Sequence, residues 1–302
     1  MLDILIRAGS FVAIIILGYL LKKLGLFKDS DFSVLSNIVL KITLPAAVVT
    51  NFANKELDMS MFALTLLAIG FGVVYILIGF LINLRSTKEQ RAFDVLNLPG
   101  YNIGCFALPF VQSFLGATGV IATCLFDVGN SLICLGGAFS IAVIVKEGGK
   151  FSVKRILKTL SKSVPFLFFI SMPILCLLHV PIPKPITALA GVIGNANAFL
   201  AMLMIGIGFK LTADKSQIGK ILKIILIRFG MAAIFALFIY ILLPFNQEVR
   251  KALMLLVFSP IGSAIPPFTG ELKGDIGLSS AINSISIICS VIFMVILLTI
   301  IP

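Results

Sequence analysis

The chain has 302 residues, of which 59% are hydrophobic and 12% charged, with a net charge of +11 and a mean hydropathy of +1.14. Soluble domains carry about 25% charged residues, so a water-soluble globular protein is excluded, and with it the reading of the positive charge as a nucleic-acid surface. Apolar runs long enough to cross a bilayer, about 20 residues, recur along the whole sequence and leave no room for a separate soluble domain.

Cutting at charged and turn-rich segments predicts ten spans, at 4–21, 35–53, 61–83, 93–114, 118–145, 163–180, 186–209, 219–243, 250–271 and 278–301. The first ends at Lys22 and Lys23 without a small-residue cleavage site, and reads as a retained helix rather than a signal peptide. In the second, "LPAAVVTNFAN" places Pro45 where it bends the helix, with Ala46 and Ala47 permitting close approach of a neighbour. The fourth carries Pro99 and Pro109 in "NLPGYNIGCFALPF", and the ninth carries Pro260, Pro266 and Pro267 in "SPIGSAIPPF"; no other span is read as having prolines so placed at mid-depth. The seventh ends in "LMIGIGFKL", where Gly206 and Gly208 mark a tight helix contact.

Bases alternate between loops. The set containing Lys22–Lys28, Arg85–Arg91, Lys146–Lys162, Lys210–Lys223 and Lys273 holds 17, and the other holds only Lys55, Lys184, Arg250 and Lys251. That asymmetry predicts a multi-pass protein of the cell (inner) membrane with the first set in the cytoplasm and the N- and C-termini outside. The longest basic loop divides the spans five against five, so the second half enters the membrane with opposite orientation. The expected fold is an all-α integral membrane protein of ten transmembrane helices in two inverted five-helix repeats: 1–147, a basic cytoplasmic linker at 148–162, and 163–302.

A proline inside a helix removes a donor and clashes with the carbonyl one turn back, so spans four and nine are expected to unwind. At that depth unwound backbone is tolerated only inside protein or beside a watery cavity. One break reads as a packing kink; two at matching positions point to a binding site where they meet. Half-helix N-termini there carry partial positive charge, so an anion can be held without a buried arginine. Asn102 is the candidate donor, with Asn97, Tyr101, Ser259 and Ser263 nearby, the backbone around Pro99, Pro109, Pro260 and Pro266 shaping the site, and Pro45 beside the crossing.

Asp127 in "LFDVGN" lies at mid-span, where a carboxylate costs at least about 2.5 kcal/mol. With Asn130 on the same face it is a candidate proton carrier or cation ligand, against the alternative of a helix-packing hydrogen bond. Lys41 and Arg228 lie within snorkelling reach of the cytoplasmic surface and Arg7 near the outer one, so all three read as lipid-facing or packing residues. Cys105, Cys124, Cys134, Cys176 and Cys289 all fall in apolar segments and read as buried hydrophobes, with no metal site or cofactor implied. The single histidine, His179, sits at the outer end of span six, which argues against a histidine proton relay.

Pro45-Ala46, "YNIGCFALPFVQSFLG", "LFDVGNSL", "MIGIGFKL" and "SPIGSAIPPFTGELKGD" together resemble the auxin efflux carrier family of bacterial and plant permeases, over nearly the whole chain. The resemblance implies broken, crossing helices 4 and 9 at the substrate site, on a bile-acid-symporter or NhaA-like plan. It implies a scaffold of spans 1, 2, 6 and 7, a transport domain of spans 3–5 and 8–10 moving elevator-fashion, and a homodimer through the scaffold. Its substrates are organic anions: auxin, malonate or malate. Asn102 matches the family's crossover asparagine, Pro260 its crossover proline in span nine, Glu271 and Asp275 its acidic positions, and Asp127 and Asn130 its span-five pattern. Many bacterial members carry Gly-Asn-Thr-Gly where this chain has Tyr101-Asn102-Ile103-Gly104, and Asn in place of Ala264, which makes the pocket here less polar.

The expected function is a secondary carrier for a small organic anion, driven by membrane potential or a proton. The alternative is a sodium-coupled symporter of the bile-acid type. There is no G-x-x-x-x-G-K-[ST] loop for nucleotide. An intramembrane protease finds no facing pair of aspartates and no histidine at the right depth, and no carbonyl filter marks a channel.

Overall fold

The computed structural model describes residues 2–55, 57–210 and 215–301, and among these the regular elements are all helices, with a single isolated β-bridge. In order, α1 (Leu2–Lys23) leads to α2 (Asp31–Ile38), which passes through a wide π-helical turn at Val39–Thr43 into α3 (Leu44–Phe52). α4 (Ala63–Leu81) precedes a broken segment, α5 (Lys88–Asn97) and α6 (Leu108–Phe114). α7 (Ala117–Leu132) and α8 (Ala138–Glu147) form one long span; α9 (Val153–Leu160), α10 (Val164–Leu177), α11 (Lys184–Asn195), α12 (Asn197–Gly208) and α13 (Ile218–Leu242) follow. A second broken segment, α14 (Gln247–Val257) and α15 (Ile265–Glu271), leads to α16 (Ile276–Ile300).

Among the described residues seven helical runs are long and apolar enough to cross a membrane: Ile4–Lys23, Asp31–Phe52, Met59–Leu81, Ala117–Glu147, Lys184–Gly208, Ile218–Leu242 and Ile276–Ile300. The chain is therefore a multi-pass membrane protein. The other three expected spans do not appear as long unbroken apolar helices. Spans four and nine are interrupted where the prolines stand, and each starts a few residues earlier than expected because Thr87 and Asn246 accept N–H bonds as N-caps. Span six is α10, only 14 residues long, and Pro173 lies inside it without ending it.

The segment 148–162 is more than a linker. Ser152 caps α9, an amphipathic helix whose Ile156 and Leu160 are buried, and its axis lies 82° from that of α10. Arg155 pairs with Glu271 and lies 4.0 Å above the Phe139 ring, while Lys146 Nζ donates to Leu272 O at 2.6 Å. Glu271 thus serves as an ion-pair partner. Asp275, the other matched acid, caps α16 through Leu278 N–H at 2.8 Å.

Three helix pairs press together at small residues. A Cβ on Gly206 would overlap Ile15 O of α1, and one on Gly208 would lie 2.5 Å from the Phe32 ring. A Cβ on Gly194 would lie 2.9 Å from Ala47 Cα, joining α11 to α3. Beside that contact, buried Thr43 Oγ1 donates to Asn197 Oδ1 at 3.0 Å, linking the two kinked spans. Leu211, the last residue of the "MIGIGFKL" motif, and Met1 and Pro302 at the termini lie outside the described residues.

Gly206→Ala is expected to force α1 and α12 apart and lower the melting temperature by several degrees, since overpacking costs about 1–3 kcal/mol. Gly191→Ala, with no atom within 4 Å of the new Cβ, should leave it unchanged; thermal unfolding of the two variants in detergent makes the comparison.

Candidate functional site

α5 cannot run past Pro99, which has no N–H to continue the ladder, and Gly100 turns the chain at φ +83°, a left-handed conformation suited to glycine. α14 ends in the same way before Pro260. The two unwound stretches meet antiparallel, with Tyr101 paired to Ile261 and Asn102 N–H donating to Pro260 O at 2.9 Å.

Neighbouring spans finish the pairing. On one side Asn130 of α7 takes both backbone groups of Tyr101: its Oδ1 accepts the Tyr101 N–H at 2.9 Å and its Nδ2 donates to Tyr101 O at 2.9 Å. The same Nδ2 donates to Asp127 Oδ1 at 2.7 Å. On the other side α16 does this for Ile261, whose carbonyl accepts from Asn283 Nδ2 at 2.9 Å and whose N–H donates to Ser286 Oγ at 3.1 Å.

Arg228 requires a correction of the sequence reading. It is 0% exposed, so it does not snorkel to the surface or face lipid. Its guanidinium reaches the crossing, where Nη1 donates to Leu98 O at 2.5 Å and Nη2 lies 2.8, 3.0 and 3.2 Å from the carbonyls of Gly100, Ser259 and Pro260. The rings of Tyr101 and Tyr75 lie 4.9 and 5.6 Å from its charge, and Tyr75 Oη donates to Arg228 O at 2.8 Å. A buried cation therefore sits at the carbonyl ends of α5 and α14, where the helix dipoles are negative. Of the lipid-facing and packing readings of Arg228 only the second fits, with the guanidinium packed against backbone carbonyls of both broken segments.

Two cavities flank the crossing. The first, of about 320 Å³, is bounded by Phe32, Met204, Gly208 and Lys210 on one side and by Asn102, Ser263, Pro266, Ser280, Asn283 and Ser284 on the other. The second, of about 230 Å³, is bounded by Leu40, Lys41, Lys162 and Ser163 and by Tyr101, Asn102, Asp127, Asn130, Ser263 and Ala264. Asn102 and Ser263 line both. Asn102 is only 8% exposed, and its carboxamide has no hydrogen bond to any described residue. Lys41, an exposed residue, lines the second cavity. At the mouth of the first cavity, outside the spans, Asp29 bridges Lys22 at 2.8 Å and Lys210 at 3.3 Å. The hydrogen bonds from Lys22 and then Lys210 hold its carboxyl below the usual range.

The remaining sequence-predicted residues stand behind the cavity walls. Pro45, Pro99, Pro109 and Ser259 are buried and line neither cavity, and Pro260 contributes its carbonyl to the crossing. Asn97 is tied away from both: Ser279 Oγ donates to its Oδ1 at 2.5 Å, and its Nδ2 donates to Thr269 Oγ1 at 3.2 Å, fixing α5 to α15 and α16. Among the described residues no group of three His, Cys, Asp or Glu side chains could hold a metal ion, and all five cysteines are free.

The family model described as membrane transport protein matches residues 10–164, just over half of the chain. The chain belongs to that family, which includes the auxin efflux carrier permeases. An uncharacterized transporter of Methanothermobacter thermautotrophicus is 25% identical over 211 residues, covering 67% of this chain and 66% of that protein, just under two thirds of its length.

Asn130→Ala strands both backbone groups of Tyr101, each at about 1–3 kcal/mol, whereas Asn283→Ala strands only Ile261 O. Thermal unfolding in detergent should show the larger loss for Asn130→Ala; equal melting temperatures would contradict the pairing.

Proposed function

We propose that this membrane transport protein is a secondary carrier for a small organic anion, which it binds at the crossing and releases by alternating access. The observation that carries the reading is Asn102: a nearly buried residue whose carboxamide has no partner among the described residues, facing both cavities from the point where the two broken helices meet. Buried polar groups are normally paired, so an unpaired donor aimed into a cavity suits a ligand with acceptor oxygens. The backbone N–H groups at the start of 103–114 point the same way. Lys41, Lys162 and Lys210 at the cavity walls attract anions toward the crossing.

The ten-span, inverted-repeat reading is supported by paired features: two proline breaks, two side-chain clamps on Tyr101 and Ile261, and the Thr43–Asn197 contact between two kinked spans. An elevator motion is supported by where the cavities lie. Each has one wall from the group containing α2, α10 or α12 and the other from the crossing with α7 or α16. With the basic loops in the cytoplasm, both cavities open inward. Asp127 and Asn130 form the coupling pair, Asp127 carrying the proton, and the scaffold is the dimer surface.

Screening the purified protein against monocarboxylates, dicarboxylates and indole acids by thermal shift tests the site. The true substrate should stabilise the wild type by several degrees and Asn102→Ala by much less; equal stabilisation of both would place binding elsewhere. For the coupling role, transport by Asp127→Asn should no longer respond to an imposed pH gradient, and an unchanged response would remove Asp127 from it.

A further inference from the structure

Broken transporter helices expose carbonyls at the C-terminal ends of their first halves, and such carbonyls commonly coordinate a coupling cation. Here Leu98 O, Gly100 O, Ser259 O and Pro260 O, two from each broken helix, converge within 2.5–3.2 Å of one guanidinium. No carboxylate forms an ion pair with Arg228 among the described residues. Its countercharge is the set of carbonyl dipoles itself, together with the faces of Tyr75 and Tyr101.

From this geometry we infer that Arg228 is a built-in replacement for a coupling cation: the chain carries a monovalent-cation cage at the crossing and fills it permanently with its own side chain. A sodium ion cannot share these oxygens with a guanidinium, because the two like charges would lie within a few ångströms of each other in a dry interior. The cage never empties during the cycle, so the crossing keeps its shape without an external ion, and transport is independent of sodium. The inference deepens the carrier reading and rests on it for the transport consequence, but the cage itself can be tested without any substrate.

Arg228→Ala should open the cage. The purified variant should melt well below the wild type, and millimolar guanidinium chloride or sodium chloride should restore at least half of the loss in a saturable way. Urea, neutral and of similar shape, and choline chloride should not. Arg228→Ala melting like the wild type, or staying unrestored by every cation, overturns the inference. The wild type provides a second arm should the variant fail to fold: sodium in place of choline should neither raise its melting temperature saturably nor change uptake of a substrate found by the screen above. Saturable sodium stabilisation of the wild type would overturn the inference. Absence of any transported anion would instead count against the carrier reading and leave the cation-rescue result to decide the cage.

Discussion

Two stretches of backbone, 98–102 and 258–264, leave helical geometry deep inside the protein, and each polar group they free needs a partner there because hydrocarbon supplies none. Arg228 takes four of the freed carbonyls, and Asn130, Asn283 and Ser286 take the backbone groups of Tyr101 and Ile261. One planar guanidinium, with its donors held in a fixed fork, reaches carbonyls of both broken segments at once. A lysine at the same place would bring a single point of charge. A charged side chain at mid-membrane depth costs roughly 2.5–3.5 kcal/mol on insertion scales, and the convergent carbonyls and aromatic faces offset that cost.

Arg228 is held in turn from outside the crossing. Tyr75 of α4 bonds its backbone carbonyl, and Phe71 of α4 stacks on Phe235 of α13 with centroids 4.0 Å apart. Further along the same helices Lys223 donates to Asp94 and Asn83, both buried, and Gln90 completes the Asp94 carboxylate. These contacts tie α4, α5 and α13 to the crossing. With the carbonyl ends covered by Arg228 on the inner face, Asn102 and Ser263 are left free on the cavity faces. The two cavities lie between the crossing and residues of α2, the Val39–Thr43 turn, the start of α10 and α12.

The breaks were legible because proline and glycine act locally: Pro99, Gly100 and Pro260 interrupt a helix whatever surrounds them. Asn102, Asp127, Asn130 and Ser263 were legible because polar residues stand out against apolar spans. Arg228 was noticed and misplaced. α13 is apolar on all sides, so the sequence has no polar face from which to tell lipid from interior, and the position is equally compatible with a snorkelling side chain. In the structure Ile221, Ile224, Ile225, Arg228, Ala232 and Phe235 form one buried stripe. Asn283 and Ser286 were missed because α16 is rich in serine and the two residues read as ordinary helix packing; the clue was an asparagine in the last span, matching Asn130 in the fifth. Asn97 looked like a ligand for the converse reason: proximity in sequence to Pro99 does not reveal that its side chain points to Thr269 and Ser279. The 148–162 segment read as a linker from its charge, whereas its alternation of bases with Ile156 and Leu160 is that of a surface helix.

The central claim is that the crossing is a water-reachable site within a membrane-spanning chain, and cysteine accessibility tests it most directly. In a chain whose five native cysteines are replaced, Ser263→Cys lines both cavities, while Ser259→Cys, at a position 0% exposed, lies behind them. A membrane-impermeant thiol reagent applied to inverted vesicles should label Ser263→Cys readily and Ser259→Cys hardly at all. Failure to label Ser263→Cys from either face of the membrane would contradict the account.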